Sequence, residues 1–455
     1  MKYQRLLFGR TAVSKFAFFM VLLYTSAIQA SAQTDGDTLR LDLQAAMEIA
    51  REKNPGLAVA GLEMERMDAG IDIARGRYLP SLSASGGYTR NIQKPVIFLP
   101  PGSPFGDVLE IGSDNSYMGT LVAGMPVYNP QLNAALNAAR AERELAGEEY
   151  RASRIELEYF VRSAFFDALL AKESREVMRM SMQNASENLE RTRKLHGQGM
   201  VAEFDMIRAQ VQTENLRPAV LQAENGFEMA VNYLKALIGL QSSDAIAIEG
   251  RLTDLATEMM AGFSIPDAER SLVRNTDLVQ MELQMKLIRQ QAKTIRASGL
   301  PSLAMSGNYN VQTEANHFEF SDYNWIKTFA AGLRLTVPIF NGLTIRNQAK
   351  QLDIVGKQMQ VQRDFLEENL GVQLDNILRS LIVAVETSNT ARRTVVMAER
   401  AHEISKARYD TGQGTLLDVN DSELALTQAR FNLLQARYDV LKAKAEYEKF
   451  IGQNH

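Results

Sequence analysis

The sequence predicts a mainly α-helical protein with a transmembrane β part, arranged as an internal tandem duplication. Three observations lead to this prediction. Two stretches of more than 60 residues contain no proline, and the second keeps a helical spacing of apolar residues. Shorter stretches alternate apolar and polar residues as strands do. Three sequence landmarks also occur twice in the same order.

Residues 1–32 have the features of a secretory signal peptide. Basic residues accompany an apolar run over residues 16–28, and Ala30-Ser31-Ala32 offers a cleavage site. An uncleaved membrane anchor is the alternative, but the run is shorter than the ~18 residues of a spanning helix. The segment holds four basic and no acidic side chains, so its removal changes the formal net charge from −4 to about −8. This acidity disfavours a nucleic-acid partner. The chain has no cysteine, so packing and assembly must hold it together.

The duplication divides the chain into units. The repeated landmarks are Leu-Pro-Ser-Leu at 79–82 and 300–303, proline-aliphatic-aromatic-asparagine at 126–129 and 338–341, and Gly-Gln-Gly at 197–199 and 412–414. Their offsets drift between 212 and 221 residues, as expected for two copies that differ by loop insertions. The predicted units are a first structural repeat over 33–238, an inter-repeat equatorial segment over 239–266 and a second structural repeat over 267–455.

Each repeat is predicted to contain a leading helix, a strand, a loop, a second strand, a long helix, a glycine turn and a return helix. The predicted helices are 42–53, 56–78, 131–196 and 202–237 in the first repeat, with Pro218 as a kink, and 276–298, 343–410 and 416–450 in the second. In each repeat the leading and return helices together nearly match the length of the long helix. We therefore expect them to stack end to end along it. Residues 39–53 and 239–266 are expected to form a small mixed structure around the waist.

Four strands are predicted between the helices, at 82–92, 116–128, 302–312 and 324–338. In the last strand Phe329, Ala331 and Leu333 alternate with Ala330 and Arg334. Such alternation, with aromatic residues near the strand ends, is typical of an outer-membrane barrel; a soluble β-sandwich is the alternative. Four strands cannot close a barrel, and open sheet edges are too costly in hydrocarbon. Several copies must therefore assemble, and the alternation does not choose between two copies with eight strands and three with twelve.

These landmarks, together with the turn sequence from Tyr409 to Asp421, resemble the TolC/OprM family of outer-membrane efflux proteins over about residues 39–452. The resemblance implies a homotrimer whose twelve-stranded β-barrel, four strands per chain, continues into a long periplasmic α-helical barrel. It implies an outer-membrane protein of a Gram-negative bacterium that extends into the periplasm and contacts outer-membrane lipid. Such a protein is a passive exit duct for tripartite efflux or type I secretion.

The resemblance also implies partners: a periplasmic adaptor, or membrane fusion protein, and an inner-membrane exporter of the RND, ABC or MFS type. The alternative function is a soluble periplasmic coiled-coil scaffold or adaptor. The four histidines are scattered without the spacing of a zinc site, and no catalytic motif stands in a suitable context. We therefore expect no enzyme activity, cofactor or resident metal.

Candidate site residues lie near the helix tips. The resemblance implies that Asp418 and Asp421 ring the periplasmic entrance, and that Tyr409 and Asp205 form a pair that holds it closed. Gly414 stands where the family usually has an arginine, so one inter-helix link is missing. The residues themselves leave two roles open for Asp418, because Thr415 precedes it in the pattern of a capping box. Asp205 is also close to a helix start. Asp421 lies a turn deeper, where capping is not possible, which favours a place in the lumen.

The two glycine turns are the predicted docking surface for adaptor hairpins. The residues concerned are Gly197, Gly199, Val201, Gly412, Gly414 and Leu416. The simpler interpretation is that the glycines serve only the turns.

Overall fold

The computed structural model describes residues 39–260 and 272–453. The predicted signal peptide lies outside the described residues, as do residues 261–271. The elements up to the connecting segment are β1 (Leu39–Leu41), α1 (Leu43–Lys53), α2 (Pro55–Gly76), β2 (Ser81–Arg90), β3 (Val96–Phe98), β4 (Val108–Glu110), β5 (Asn115–Tyr128), α3 (Pro130–Gly197) and α4 (Glu203–Leu237). The remaining elements are β6 (Ile246–Ile248), α5 (Leu252–Met260), α6 (Thr276–Ala297), β7 (Ser302–Ala315), β8 (Ile326–Thr336), α7 (Thr344–Asp410) and α8 (Leu416–Phe450).

The two longest helices, α3 and α7, contain 68 and 67 residues. At 1.5 Å per residue, each is a rod of roughly 100 Å. Pro130 opens α3, and the Asn129 side chain accepts a hydrogen bond from the backbone amide of Gln131 at 3.0 Å. Leu343 precedes α7 in the left-handed region, with φ of 63°, and provides no side-chain cap. Within the described residues, no helix has both the length and the apolar composition needed to cross a membrane.

Two shorter helices lie end to end along each long helix, as their lengths predicted. Helices α2 and α4 pack on α3, whereas α6 and α8 pack on α7. Asn275 forms the second junction. Its Oδ1 accepts hydrogen bonds from the amides of Asp277 (3.0 Å) and Leu278 (3.2 Å), and its Nδ2 donates to the carbonyl oxygen of Phe450 (2.7 Å). One side chain therefore caps the start of α6 and binds the end of α8.

The first junction is built in the same way. Asn54 caps α2 and donates from Nδ2 to the carbonyl oxygen of Leu237, the last residue of α4, at 2.9 Å. Glycines with positive φ, Gly239 and Gly452, follow α4 and α8. A Cβ at either position would lie within 3 Å of the carbonyl oxygen of the residue before the capping asparagine. Glycine is required there by both the close approach and the backbone conformation.

The main hydrophobic core lies at the middle of α3. Phe165, Phe166 and Leu169 are fully buried there, together with Leu234 of α4 and Leu441 of α8. Strand β1 pairs in parallel with β6, and these strands with α1 and α5 form a small mixed unit around this core. The chain is thus most densely packed at its waist.

Strands β2, β5, β7 and β8 form one antiparallel sheet in that order, which leaves β2 and β8 as unpaired edges. Its register places the predicted apolar sets of β5, β7 and β8 on one face, as in the pair Tyr309–Phe329, and polar residues opposite, as in Asn310–Thr328. The apolar face carries Leu82, Ala84, Tyr88, Leu121, Ala123, Met125, Leu303, Met305, Val311, Ala331, Leu333 and Leu335 as well.

The ends of the strands away from the helices carry an aromatic cluster. Tyr117 lies at its centre, with ring centroids 4.9 Å from Tyr88 and 5.5 Å from both Phe320 and Tyr323. Trp325 contacts Tyr323 at 6.5 Å. An aromatic band of this kind marks a membrane interface.

One element differs from the sequence prediction. The stretch between β2 and β5 was predicted as a loop, but β3 and β4 pair within it as a short hairpin. Each of these strands has only three residues. Three residues are too few to show the alternation of apolar and polar side chains that distinguishes a strand from a loop in the sequence.

Candidate functional site at the helix tips

The α3–α4 and α7–α8 turns lie at the same end of the molecule and have the same geometry. In the first, the amides of Gly199 and Met200 donate to carbonyl oxygens of the last turn of α3; in the second, those of Gly412 and Gln413 donate to the last turn of α7. Gly199 and Gly412 have φ of 71° and 73°. This is the Schellman arrangement, in which a left-handed glycine ends a helix. These two predicted glycines are thus explained by the turn itself.

Asp418 forms the capping box that the sequence suggested. Its Oδ2 accepts hydrogen bonds from the backbone amide and the hydroxyl of Thr415, both at 2.9 Å, and its own amide donates to the Thr415 hydroxyl at 3.2 Å. The hydrogen bond from the Thr415 backbone amide, followed by that from the hydroxyl, holds the pKa of Asp418 below its usual range. The carboxylate is therefore charged, exposed and fixed in the first turn of α8.

The side chains of Asp421 and Asp205 are not held by a capping box as that of Asp418 is. Asp421 is exposed one turn along α8, and its side chain has no hydrogen bond or ion pair within the described chain. Asp205 is half-buried in the first turn of α4, where the helix dipole favours a carboxylate. Together with Asp418 they are three of the carboxylates that each chain carries near the tips.

Tyr409 and Asp205, the predicted pair at the entrance, are not joined by a hydrogen bond within the described chain. The Tyr409 hydroxyl is enclosed and has no hydrogen-bond partner among the described residues. The two hairpins are joined beside it by a different contact, since Arg191 of α3 forms an ion pair with Asp410 of α7 at 2.5 Å. Both side chains are partly exposed, at 38% and 46%.

Gly414 lies in close contact with the end of α7. A Cβ at Gly414 would lie 3.1 Å from Cβ of Arg408 and 3.2 Å from the Tyr409 amide nitrogen. The turn therefore packs closely on the last turn of α7. A guanidinium is still present at the turn, because Arg408 donates to the carbonyl oxygen of Gln413 at 3.2 Å.

Two features of the tips were not found from the sequence. His402 of α7 lies beside α8, with Nε2 3.1 Å from a carboxylate oxygen of Glu423 and Nδ1 3.1 Å from the Ser422 hydroxyl. Asn184 of α3 donates to the other Glu423 oxygen at 3.0 Å, so this cluster joins three helices. The sequence contained one signal for this contact. Residues 402 and 423 are each ten positions from the Gly412-Gln413 turn, so two antiparallel helices that leave this turn bring them side by side.

The second feature is the apolar surface at the tip. Leu416, which was predicted to belong to the docking surface, is only 5% exposed, so it offers little apolar surface to a partner in the described chain. It is the first residue of α8 and is buried with Val419 one turn later. The exposed apolar residues are instead Met200 and Phe204, each 69% exposed. Of the other predicted docking positions, Gly197, Gly199 and Gly412 are exposed, whereas Val201 and Gly414 are half-buried.

No group of three or more potential metal ligands occurs in residues 39–260 and 272–453.

Long helical hairpins with carboxylates at their tips, joined to a sheet with one apolar face and two open edges, define the class of outer-membrane exit ducts. The chain belongs to the outer membrane efflux protein family, whose model matches residues 46–240 and 268–453. It is a channel protein of the outer membrane that extends into the periplasm, and not an enzyme.

Individual relatives are similar over most of their length. Outer membrane protein TolC of Vibrio cholerae is 23% identical, covering 84% of each chain. Cobalt-zinc-cadmium resistance protein CzcC of Cupriavidus metallidurans is 24% identical, covering 86% of this chain and 85% of that protein. The Campylobacter jejuni CmeC outer membrane channel has the same fold, with a TM-score of 0.70 at 17% identity over 90% of this chain and 85% of that one.

Proposed function

We propose that three copies of this chain form a passive duct with one twelve-stranded barrel and one helical barrel. The observation that carries the proposal is the four-stranded sheet with an apolar face and two unpaired edges. Strand β2 runs away from the helices and β8 runs back toward them. The β8 edge of one copy therefore meets the β2 edge of the next in the antiparallel sense. Head-to-tail pairing of this kind closes a ring.

The number of copies follows from the need for a lumen. Two copies would give eight strands, and the interior of an eight-stranded barrel is just wide enough for its own side chains. Three copies give twelve strands and leave room for a channel.

The two matched segments of the family model support two structural repeats, with the equatorial segment between them.

The helices offer matching apolar stripes for the same ring. Exposed apolar residues recur along one face of α7, and a second series follows α4. The α7 residues are Ile354, Val361, Phe365, Val372, Val383, Met397 and Ile404; the α4 residues are Phe204, Ile207, Val211, Leu221, Met229 and Tyr233. Both series keep a helical period over most of a long rod, which indicates packing against another helix and not scattered exposure.

At the tips we propose that Asp205, Asp418 and Asp421 of three copies form rings of carboxylates at the periplasmic entrance. The carboxylates of such rings attract cations, and they also repel one another when the copies come close together. The same charges therefore affect both the ion selectivity and the balance between the open and closed states. A periplasmic adaptor and an inner-membrane exporter would bind at this end, around the exposed residues Met200 and Phe204 and the glycine turns.

Native mass spectrometry and planar-bilayer recording of the detergent-extracted protein test the proposal together. We expect a trimer that conducts ions without an energy source. A monomer that stays dissolved without detergent would overturn the assembly and favour the soluble scaffold.

A further inference from the structure

The apolar face of the sheet is not smooth, because a groove crosses β5, β7 and β8. Its floor is formed by Ala123, Gly307 and Ala331, which the strand register places side by side. Larger side chains stand on both sides of this floor. The wall residues are Leu121, Tyr309 and Phe329 on one side, and Met125 and Met305 on the other. The cavity has a volume of about 290 Å³, close to the lower limit of small-ligand pockets.

The chemistry of the groove excludes a polar or peptide ligand. Strand β7 runs along its centre and is paired with β5 on one side and β8 on the other. The backbone donors and acceptors of β5 and β7 in the floor are therefore used by the sheet, and no charged side chain lines the groove. A peptide bound there would leave its own backbone groups without partners. The surface suits an unbranched hydrocarbon.

The position of the groove identifies the source of that hydrocarbon. The aromatic cluster lies at the far ends of the strands, whereas Pro80, at the helix-facing end, lines the groove. Ala123 and Gly307 lie nearer to the helix-facing ends of their strands than to the far ends. Because the helices extend into the periplasm, the groove is on the side of the inner leaflet, which consists of phospholipid. We propose that each chain holds one phospholipid acyl chain in this groove. The inference rests on the proposed barrel, since it needs the apolar face to contact the bilayer.

A substitution that fills the groove provides the test. Gly307→Leu adds a side chain to the floor without backbone conflict, because a Cβ there meets only the Ala330 carbonyl oxygen at 3.8 Å. Gly86→Leu is the matched control, since it adds the same side chain to the same face on β2, and a Cβ there meets nothing within 4 Å. Phospholipid retained by the detergent-exchanged trimer is measured by native mass spectrometry and phosphate analysis.

We expect retained phospholipid in the wild type and in Gly86→Leu, and a loss of about tenfold or more in Gly307→Leu. Equal retention in all three proteins, no retained phospholipid in any, or retention of lipopolysaccharide instead would overturn the inference. A conducting trimer that retains no phospholipid refutes only the groove, whereas a detergent-independent monomer refutes the proposed duct.

A fluorescence measurement covers the case in which Gly307→Leu does not assemble. Trp325 is the only tryptophan of the chain, so Trp325→Phe with Phe329→Trp places a single fluorophore on the groove wall. Brominated phospholipid should quench it at a lower mole fraction than in Trp325→Phe with Leu335→Trp, on the same face outside the groove. Identical quenching curves would contradict a held lipid.

Discussion

Replacing Asn275 by alanine should loosen the junction between α8 and α6. The side chain is 4% exposed and makes three hydrogen bonds, two as the cap of α6 and one to the carbonyl oxygen of Phe450. Loss of an N-cap costs about 1 kcal/mol. A buried carbonyl left without a donor adds about 1–3 kcal/mol. We therefore expect a local destabilisation of about 2–4 kcal/mol.

Hydrogen exchange suits this measurement because unfolding of a membrane assembly is rarely reversible. The amides of Asp277 and Leu278 should exchange much faster in Asn275→Ala. Asn275→Asp separates the two roles, since a carboxylate still accepts from these amides but cannot donate to Phe450. It should keep the cap and loosen only the end of α8. Asn129→Ala is the control, because Asn129 caps α3 without bridging two helices, and it should cost about 1 kcal/mol. Equal, small effects of all three changes would refute the bridging role.

The remaining predictions concern the tips and the start of α7. Asp418→Ala with Asp421→Ala should reduce cation selectivity and relieve block by multivalent cations in single-channel recordings, and unchanged selectivity would count against carboxylate rings. Because the pKa of Asp418 is lowered in the folded chain, its carboxylate stabilises the start of α8 fully above pH ~4, the ordinary aspartate range, and this stabilisation is lost as the pH falls below that range. Amide hydrogen exchange in the first turn of α8 should therefore become faster at low pH, and Asp418→Asn should remove this pH dependence. Arg191→Ala should raise the open probability of the channel, whereas the charge swap Arg191→Asp with Asp410→Arg should restore it. Leu343→Asn should stabilise the start of α7 by about 1 kcal/mol, seen as slower amide hydrogen exchange in its first turns, because asparagine tolerates the left-handed conformation that leucine does not.

The sequence predicted those features that depend on a sustained period or a local cap. Helix α8 has the predicted bounds because Thr415 and Asp418 fix its start and the glycine turn before it stops α7. The faces of β5, β7 and β8 were also predicted, since period-two alternation assigns side chains without knowledge of strand order. The β3–β4 hairpin was missed because three-residue strands show no period.

Contacts between helices were the harder part of the site. His402 and Glu423 meet because two helices run antiparallel from one turn, and neither residue belongs to a motif. The burial of Leu416 depends on how α8 is rotated about its axis against its neighbours. The apolar pattern of the four or five residues next to a turn is too short to define that rotation. The pairing of Tyr409 with Asp205 stays a prediction for the same reason, since it depends on the exact placement of one helix tip against another.

The distribution of stabilising contacts suggests where such a duct can open. At the waist, Phe165 and Phe166 are fully buried, and burying an aromatic side chain of this size stabilises a fold by about 1.5–3 kcal/mol. At the tips, the described link between the two hairpins is the partly exposed Arg191–Asp410 pair, and exposed ion pairs contribute about 0.2–1 kcal/mol. Separating the tips therefore costs far less than moving the waist. We infer that opening is confined to the part of α3, α4, α7 and α8 beyond the His402–Glu423 cluster, which still joins three helices ten residues from the turn.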